Sequence, residues 1–127
     1  MRNLTILLLL AVLCAGATLA AAAVARSIPP QDAFALLKEQ PNVYLLDVRT
    51  PQEYRQAHLA DAHLIPIDQV ERRLDELPKD RPILVYCAVG SRSAQVFSYL
   101  ARRGYAEVYN LDGGIYAWAQ SGLPMVR

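Results

Sequence analysis

The sequence contains little cysteine and little histidine, and its charges are almost balanced. Among its 127 residues there are 2 cysteines and 2 histidines, and 13 lysine and arginine residues stand against 12 aspartate and glutamate residues. The histidines, His58 and His63, have no cysteine near them, so no spacing typical of a metal site is present. Without a block of like charge, nothing indicates binding to nucleic acid or to an acidic partner. We therefore expect an activity that needs no metal and no cofactor.

Long apolar runs are missing as well, except at the N-terminus. Residues 4–25 carry no charge, follow a short basic start and end in a stretch of small residues. This layout is typical of a secretory signal peptide, and the sequence AVA at residues 23–25 resembles a cleavage site. We therefore predict a signal peptide over residues 1–25, a mature domain over residues 26–127 and a periplasmic location.

Two alternatives to cleavage stay open. The uncharged run of 22 residues is long enough to cross a bilayer of about 30 Å, so it could be retained as a membrane anchor. Its alanine-rich second half is only weakly hydrophobic, which favours cleavage. Lipid attachment at Cys14 is the other alternative, and the bulky Leu13 before it disfavours that reading. After cleavage, Cys87 is the single cysteine of the mature chain.

Strand and helix patterns alternate along the rest of the chain. Apolar runs and one shorter extended piece predict strands at residues 43–46, 63–65, 82–86 and 107–110. Apolar residues at helical spacing predict helices at residues 30–40, 51–55, 69–77, 92–103 and 115–120. This alternation is typical of an α/β fold with a mostly parallel sheet that is covered by helices on both faces.

Polar residues follow three of the predicted strands. They lie at residues 47–49, at Cys87 with the loop behind it, and at residues 110–112. The first group is followed by TPQE at residues 50–53, a capping-box pattern that predicts the start of a helix. Ligands of parallel sheets bind outside the carboxyl ends of the strands, so Cys87 lies where a site is expected.

The loop after the cysteine has the composition of an anion cradle. In CAVGSRS, residues 87–93, the small side chains allow backbone N–H groups to converge at a helix N-terminus. Such a cradle lowers the pKa of a thiol and stabilises negative charge on the sulfur. Arg92 either neutralises a bound anion or braces the loop through a carboxylate such as Asp47. The alternative is a buried thiol at a strand end, followed by an N-capping serine.

Four motifs, in the same order, resemble those of single-domain rhodaneses, a family of sulfurtransferases. They are DVRTPQEY at residues 47–54, AHLADAHLIP at residues 57–66, YCAVGSRSA at residues 86–94 and LDGGIYAW at residues 111–118. The similar region covers about two-thirds of the chain. The resemblance implies a rhodanese-like α/β fold, with a mostly parallel five-stranded sheet flanked by helices on both faces.

The resemblance also implies a transfer of sulfur in two steps. Cys87 would take the outer sulfur of thiosulfate as a persulfide and pass it to a thiophilic acceptor such as cyanide, or to a protein thiol. Asp47 is expected to anchor the loop around Arg92, and Arg49 either lines the mouth of the site or pairs with Glu53. The substrate-binding residues implied by the resemblance are Ala88, Val89, Gly90, Ser91, Arg92 and Ser93.

The same residues are compatible with other functions. A rhodanese-fold binding module or persulfide carrier without turnover is the main alternative, and the presence of Cys87 argues against it. Phosphatase or arsenate reductase chemistry is disfavoured because phosphate-binding relatives resemble one another in a longer loop. The residues Ala57, Asp61 and Leu64 depart from the family pattern and leave the path of their loop open. His58 is expected to hold the neighbouring turn.

Overall fold

A computed structural model describes residues 23–127, and five strands form one sheet in it. The five strands are β1 (Val24–Ile28), β2 (Tyr44–Asp47), β3 (His63–Leu64), β4 (Ile83–Tyr86) and β5 (Glu107–Leu111). Their order across the sheet is β1-β5-β4-β2-β3, and all pairings are parallel. The predicted α/β fold with a five-stranded parallel sheet is confirmed.

Helices lie on both faces of this sheet. They are α1 (Pro30–Glu39), α2 (Pro51–Gln56), α3 (Ser91–Arg102) and α4 (Gly114–Gln120). Helix α3 contributes Val96 and Leu100 to the core on one face, whereas α1 and α4 contribute Ala33 and Trp118 to the core on the other. In the part of the chain that the structure describes, no helix is both long and apolar enough to cross a bilayer.

Strand β4 shows how the two cores are separated. Ile83 and Val85 face the core below α3, and Leu84 and Tyr86 face the core below α1 and α4. All four side chains are buried, which explains why the strand is apolar throughout instead of alternating with polar residues. Cys87 continues the alternation, so its side chain lies on the α3 face.

The predicted helix over residues 69–77 is wrong. Two short 3₁₀ turns take its place, at Ile67–Gln69 and Glu71–Glu76. The carbonyl of Leu74 accepts from the N–H of Leu77 at 3.1 Å. An α-helical bond would need an N–H four residues further on, and Pro78 has none. The apolar spacing of this segment therefore places side chains in the core without forming an α-helix.

Strand β1 was not predicted, and it begins before the expected cleavage point. The N–H of Val24 donates to the carbonyl of Ala106 at 2.7 Å, and the strand pairs with β5 along its length. Cleavage after Ala25 would remove two of the five residues of this edge strand. Residues 1–22 of the predicted leader, including Cys14, lie outside the described residues.

A buried hydroxyl joins the centre of the sheet to the loop before β3. The Tyr86 hydroxyl donates to the Asp47 carboxylate at 2.6 Å and accepts from the N–H of Leu59 at 3.1 Å. Burial, together with the neighbouring Asp47 carboxylate, raises the pKa of Tyr86 and keeps the hydroxyl protonated. Tyr86 is thus a structural residue of the sheet.

Replacing Tyr86 with phenylalanine should lower the free energy of unfolding by about 1–3 kcal/mol. The N–H of Leu59 and the Asp47 carboxylate each lose a hydrogen-bond partner in the protein interior, where water does not replace it. Urea denaturation measures this loss, with an unchanged slope showing that both proteins unfold in the same way. Tyr116→Phe is the control, since Tyr116 is 61% exposed. Equal losses for the two variants would contradict the structural role of the Tyr86 hydroxyl.

Candidate active site

Cys87 lies at the carboxyl end of β4, immediately before a tight loop that leads into α3. Gly90 is the N-cap residue of α3, with φ of 102° in the left-handed region that favours glycine. The loop therefore turns the chain within three residues and brings the first turn of α3 against the cysteine. This is the position at which a parallel sheet places its sites, as the sequence indicated.

The sulfur of Cys87 receives hydrogen bonds from two directions. The backbone N–H of Gly90 donates to Sγ at 3.1 Å, and the hydroxyl of Ser93 lies 3.3 Å from Sγ. The same hydroxyl lies 3.2 Å from the carbonyl oxygen of Gly90, so its proton has two acceptors within reach. Both groups within hydrogen-bond distance of Sγ can donate to it, which is the arrangement that stabilises a thiolate.

These contacts change the acidity of the thiol. Burial of Cys87 raises its pKa, but hydrogen bonds from the Ser93 hydroxyl and from the backbone of Ser93, Gly90 and Val89 lower it by more. The net pKa of Cys87 lies below its ordinary value. Because the thiolate is the nucleophilic form of cysteine, this shift increases the reactive fraction near neutral pH.

Helix α4 holds the carbonyl groups of Cys87 and Ala88. The N–H of Ile115 donates to the carbonyl oxygen of Cys87 at 2.9 Å, and the N–H of Tyr116 donates to that of Ala88 at 3.0 Å. Helix α4 packs on one face of the sheet and the Cys87 side chain lies on the other. Because peptide groups are planar, carbonyls fixed toward α4 turn the N–H groups that share those peptide groups, Ala88 and Val89, to the opposite side.

A glycine pair allows α4 to approach the loop this closely. Gly113 and Gly114 have φ of 71° and 61°. A Cβ atom on Gly114 would lie 2.4 Å from the carbonyl oxygen of Ala88 and 2.5 Å from that of Cys87. Only a residue without a side chain fits between α4 and the loop, so this position is needed for the orientation of the loop.

The predicted contact between Asp47 and Arg92 is wrong. Arg92 instead forms a bidentate ion pair with Glu53 of α2, with N–O distances of 2.8 and 2.9 Å. Asp47 cannot serve Arg92 because its oxygens already accept from Arg49 and Tyr86. Hydrogen bonds from Arg92, and then from Thr50, lower the pKa of Glu53 to about 2 against the opposing effect of burial.

The sequence did not identify Glu53 as the carboxylate that pairs with Arg92. Its side chain also accepts from the Thr50 N–H at 3.1 Å, which completes the capping box of α2. The capping-box pattern was the available signal, since it fixes the side chain of its last residue at the helix N-terminus. It does not show which cation the carboxylate faces.

Neither of the roles expected for Arg49 is observed. Its side chain is 5% exposed, so it does not line an open mouth. Its hydrogen bond to Glu53 goes to the backbone carbonyl and not to the carboxylate. It donates instead to Asp47 at 2.7 Å and to the carbonyl of Ala57, also at 2.7 Å. Asp47 and Arg49 thus form a buried pair that holds β2 against the loop after α2.

His58 holds the turn after α2, as expected. Its Nδ1 lies 2.9 Å from the carbonyl oxygen of Tyr54, and its ring stacks on the Tyr54 ring with centroids 3.8 Å apart. Its backbone N–H also donates to the carbonyl of Val126 at 2.9 Å. These contacts hold both the side chain and the backbone of His58 at this turn.

The predicted loop residues are distributed between the sulfur and the surface. Gly90 and Ser93 contact the sulfur, and Arg92 braces α3 against α2. Val89 is 63% exposed at the tip of the loop. Of the other two residues of the loop, Ala88 is partly exposed and Ser91 is exposed.

Comparison with known proteins places this geometry in a family. The family model described as Rhodanese-like domain matches residues 30–121. A protein of Allochromatium vinosum named Sulfurtransferase is 46% identical over 90 residues, which cover 71% of this chain and 84% of that protein. Thiosulfate sulfurtransferase GlpE of Vibrio cholerae is 34% identical over 89 residues, which cover 70% and 84% of the two chains.

Solved structures agree with the sequence comparison. The crystal structure of a rhodanese-related protein from Thermoplasma volcanium has a TM-score of 0.74 and 33% identity, and the match covers 80% of this chain and 97% of that one. A rhodanese-like domain protein from Staphylococcus aureus has a TM-score of 0.70 and 33% identity, with 80% and 99% covered.

Replacing Gly114 with alanine should disturb the loop, whereas the same change at Gly122 should not. Both positions have positive φ, so each variant should lose roughly 1–2 kcal/mol of stability through backbone strain. Nothing lies within 4 Å of a Cβ on Gly122, but one on Gly114 meets two loop carbonyls. We expect Gly114→Ala to lose about 1–3 kcal/mol more stability than Gly122→Ala, because displacing well-packed atoms carries an additional cost of that size. Urea denaturation of both variants measures the difference, and equal losses would contradict the close approach of α4.

Proposed function

The chain belongs to the rhodanese-like sulfurtransferase family, and on this premise we propose that it moves the outer sulfur of thiosulfate to a thiophilic acceptor such as cyanide through a persulfide on Cys87. One observation carries the proposal: the Cys87 sulfur receives hydrogen bonds from the Gly90 N–H and the Ser93 hydroxyl. A sulfur held by donors is ready both to attack and to carry negative charge.

In the first step the Cys87 thiolate attacks the outer sulfur of thiosulfate. A sulfur–sulfur bond forms between Cys87 and that atom, and the bond to the central sulfur breaks. Its electron pair leaves with sulfite, so no proton and no external electron are required. The terminal sulfur of the resulting persulfide carries the negative charge that the thiolate had before.

In the second step the acceptor attacks the terminal sulfur of the persulfide. With cyanide, a carbon–sulfur bond forms, thiocyanate leaves, and the electron pair of the broken sulfur–sulfur bond returns to Cys87 as a thiolate. The donors around Sγ stabilise this leaving thiolate as they stabilised the attacking one. No residue has to act as a general base when the Cys87 thiolate and the cyanide anion are the reacting species.

A second candidate is a persulfide carrier or binding module with the same fold but no turnover. The same donors around the sulfur would stabilise a stored persulfide, so geometry alone favours both functions. The relatives from Allochromatium vinosum and Vibrio cholerae are named as sulfurtransferases, which favours turnover. The two candidates differ in whether thiocyanate is released repeatedly.

Cys87→Ser should abolish thiocyanate formation from thiosulfate and cyanide, because a serine hydroxyl at this position stays protonated and cannot carry sulfur. The wild type should form thiocyanate over many turnovers, and its mass after thiosulfate alone should increase by one sulfur atom on Cys87. Ser98→Ala is the control, since Ser98 lies on α3 away from the loop. Full turnover in Cys87→Ser would refute the proposal, and a stable persulfide without turnover in the wild type would favour the carrier.

A further inference from the structure

Three polar side chains meet where β1 and β5 end. The hydroxyl of Ser27 accepts from the Asn110 side-chain amide at 3.1 Å and donates to the Asp112 carboxylate at 2.8 Å, with the Asn110 carbonyl as a more distant acceptor at 3.4 Å. The backbone N–H of Asp112 also donates to the carbonyl of Ile28 at 2.9 Å. Asp112, the first residue after β5, is therefore held to β1 through both its side chain and its backbone.

The buried member of this group, Asn110, is a poor choice for stability alone. It is 5% exposed, and within the part of the chain that the structure describes its Oδ1 atom has no hydrogen-bond partner. A buried acceptor without a partner destabilises a fold, and an apolar side chain of the same shape would avoid this effect. A polar residue at such a place indicates a role other than stability.

The turn that Asp112 begins packs against the residue that donates to the sulfur. The backbone nitrogen of Gly113 lies 3.2 Å from the position that a Cβ atom on Gly90 would occupy. The N–H of Gly90 donates to Sγ of Cys87 at 3.1 Å. A displacement of the turn would therefore move Gly90 and weaken one of the two hydrogen bonds that Sγ receives.

The same turn places the first N–H groups of α4. The N–H of Tyr116 donates to the carbonyl of Ala88 at 3.0 Å, and that peptide group also contains the N–H of Val89. Burial raises the pKa of Cys87, and the N–H of Val89 is one of the hydrogen-bond donors that lower it. The turn after β5 is thus connected to two of the backbone groups that act on the sulfur.

We propose that Asn110 and Ser27 are positioning residues of the sulfur site, which fix the turn after β5 and through it the hydrogen bond from Gly90 to the sulfur. Ser27 lies before residues 30–121, the region that the family model matches. The inference rests on the proposed function, because it concerns the thiolate that begins the first step. Its test includes a measurement on the thiol that needs no sulfur transfer.

The first test removes the hydroxyl that joins the two strands. In the chain of 127 residues, Ser27→Ala should raise the pH midpoint of Cys87 alkylation by iodoacetamide by roughly half a pH unit, as weakening of one hydrogen bond does. Below that midpoint, kcat/KM with thiosulfate and cyanide should fall about threefold. Ser27→Thr, which keeps the hydroxyl, should restore both values. None of these changes alters a charge.

A matched control is available at the other end of α4. The hydroxyl of Ser121 donates to the carbonyl of Ala117 at 2.9 Å and is exposed, so Ser121→Ala also removes one exposed hydroxyl bond. This variant should keep the wild-type alkylation midpoint and the wild-type kcat/KM. An equal shift in Ser121→Ala and Ser27→Ala would overturn the proposal, because the effect would then not depend on the turn after β5.

The second test separates positioning from stability. Leucine has the branching of asparagine without its polar atoms, so Asn110→Leu should raise the alkylation midpoint as Ser27→Ala does. Its midpoint of unfolding in urea should equal or exceed that of the wild type, because the unpartnered Oδ1 is gone and the exposed Ser27 can bond to water. The double variant should shift the alkylation midpoint no further than the single variants, since both act through Asp112.

The remaining outcomes distinguish this inference from the proposed function. An unchanged alkylation midpoint in Ser27→Ala and Asn110→Leu, or additive shifts in the double variant, would overturn the positioning role while leaving sulfur transfer intact. A lower unfolding midpoint in Asn110→Leu would show that the amide serves stability, and would also overturn it. If the midpoints shift as expected but the wild type forms no thiocyanate, the proposed function is refuted, whereas the effect of the two residues on the thiol stands.

Discussion

Two hydrogen bonds from the start of α4 fix two peptide groups of the loop that follows Cys87. The N–H groups of Ile115 and Tyr116 hold the carbonyl oxygens of Cys87 and Ala88, and Gly114 lets the helix come close enough to do so. With these two carbonyls bound on one side, the N–H groups of Ala88 and Val89 face the other side of the loop. The last helix of the chain therefore shapes a site to which its own side chains contribute no polar contact with the sulfur.

The rest of the structure supports this loop with buried polar contacts. Asp47, at the end of β2, binds both Arg49 and the Tyr86 hydroxyl, which joins the two central strands to the loop before β3. Glu53 and Arg92 join α2 to the first turn of α3. Each arginine is matched by one carboxylate, so the site gains rigidity without gaining charge. The chemistry near the sulfur then depends on dipoles that the fold has already oriented.

Much of this could be read from the sequence, and the failures have physical causes. The alternation of apolar runs and helical spacing predicted the parallel sheet, and it placed Cys87 at a strand end. Strand β1 was missed because residues 25–27 are exposed on an edge strand and carry no apolar pattern. Arg92 was paired with the wrong carboxylate because residues 39 positions apart meet only in the folded chain. Spacing identifies the charged residues but does not identify their partners.

The pH dependence of Cys87 alkylation by iodoacetamide in the wild-type protein tests the central claim most directly. Because only the thiolate reacts, the midpoint of the rate profile is the pKa of this thiol, and Cys87→Ser supplies the background. Hydrogen bonds from Ser93 and the loop amides should place the midpoint below that of a cysteine in a short unfolded peptide, measured in the same buffer. A midpoint equal to or above the peptide value would show that burial outweighs the donors, and would contradict the thiolate on which sulfur transfer depends.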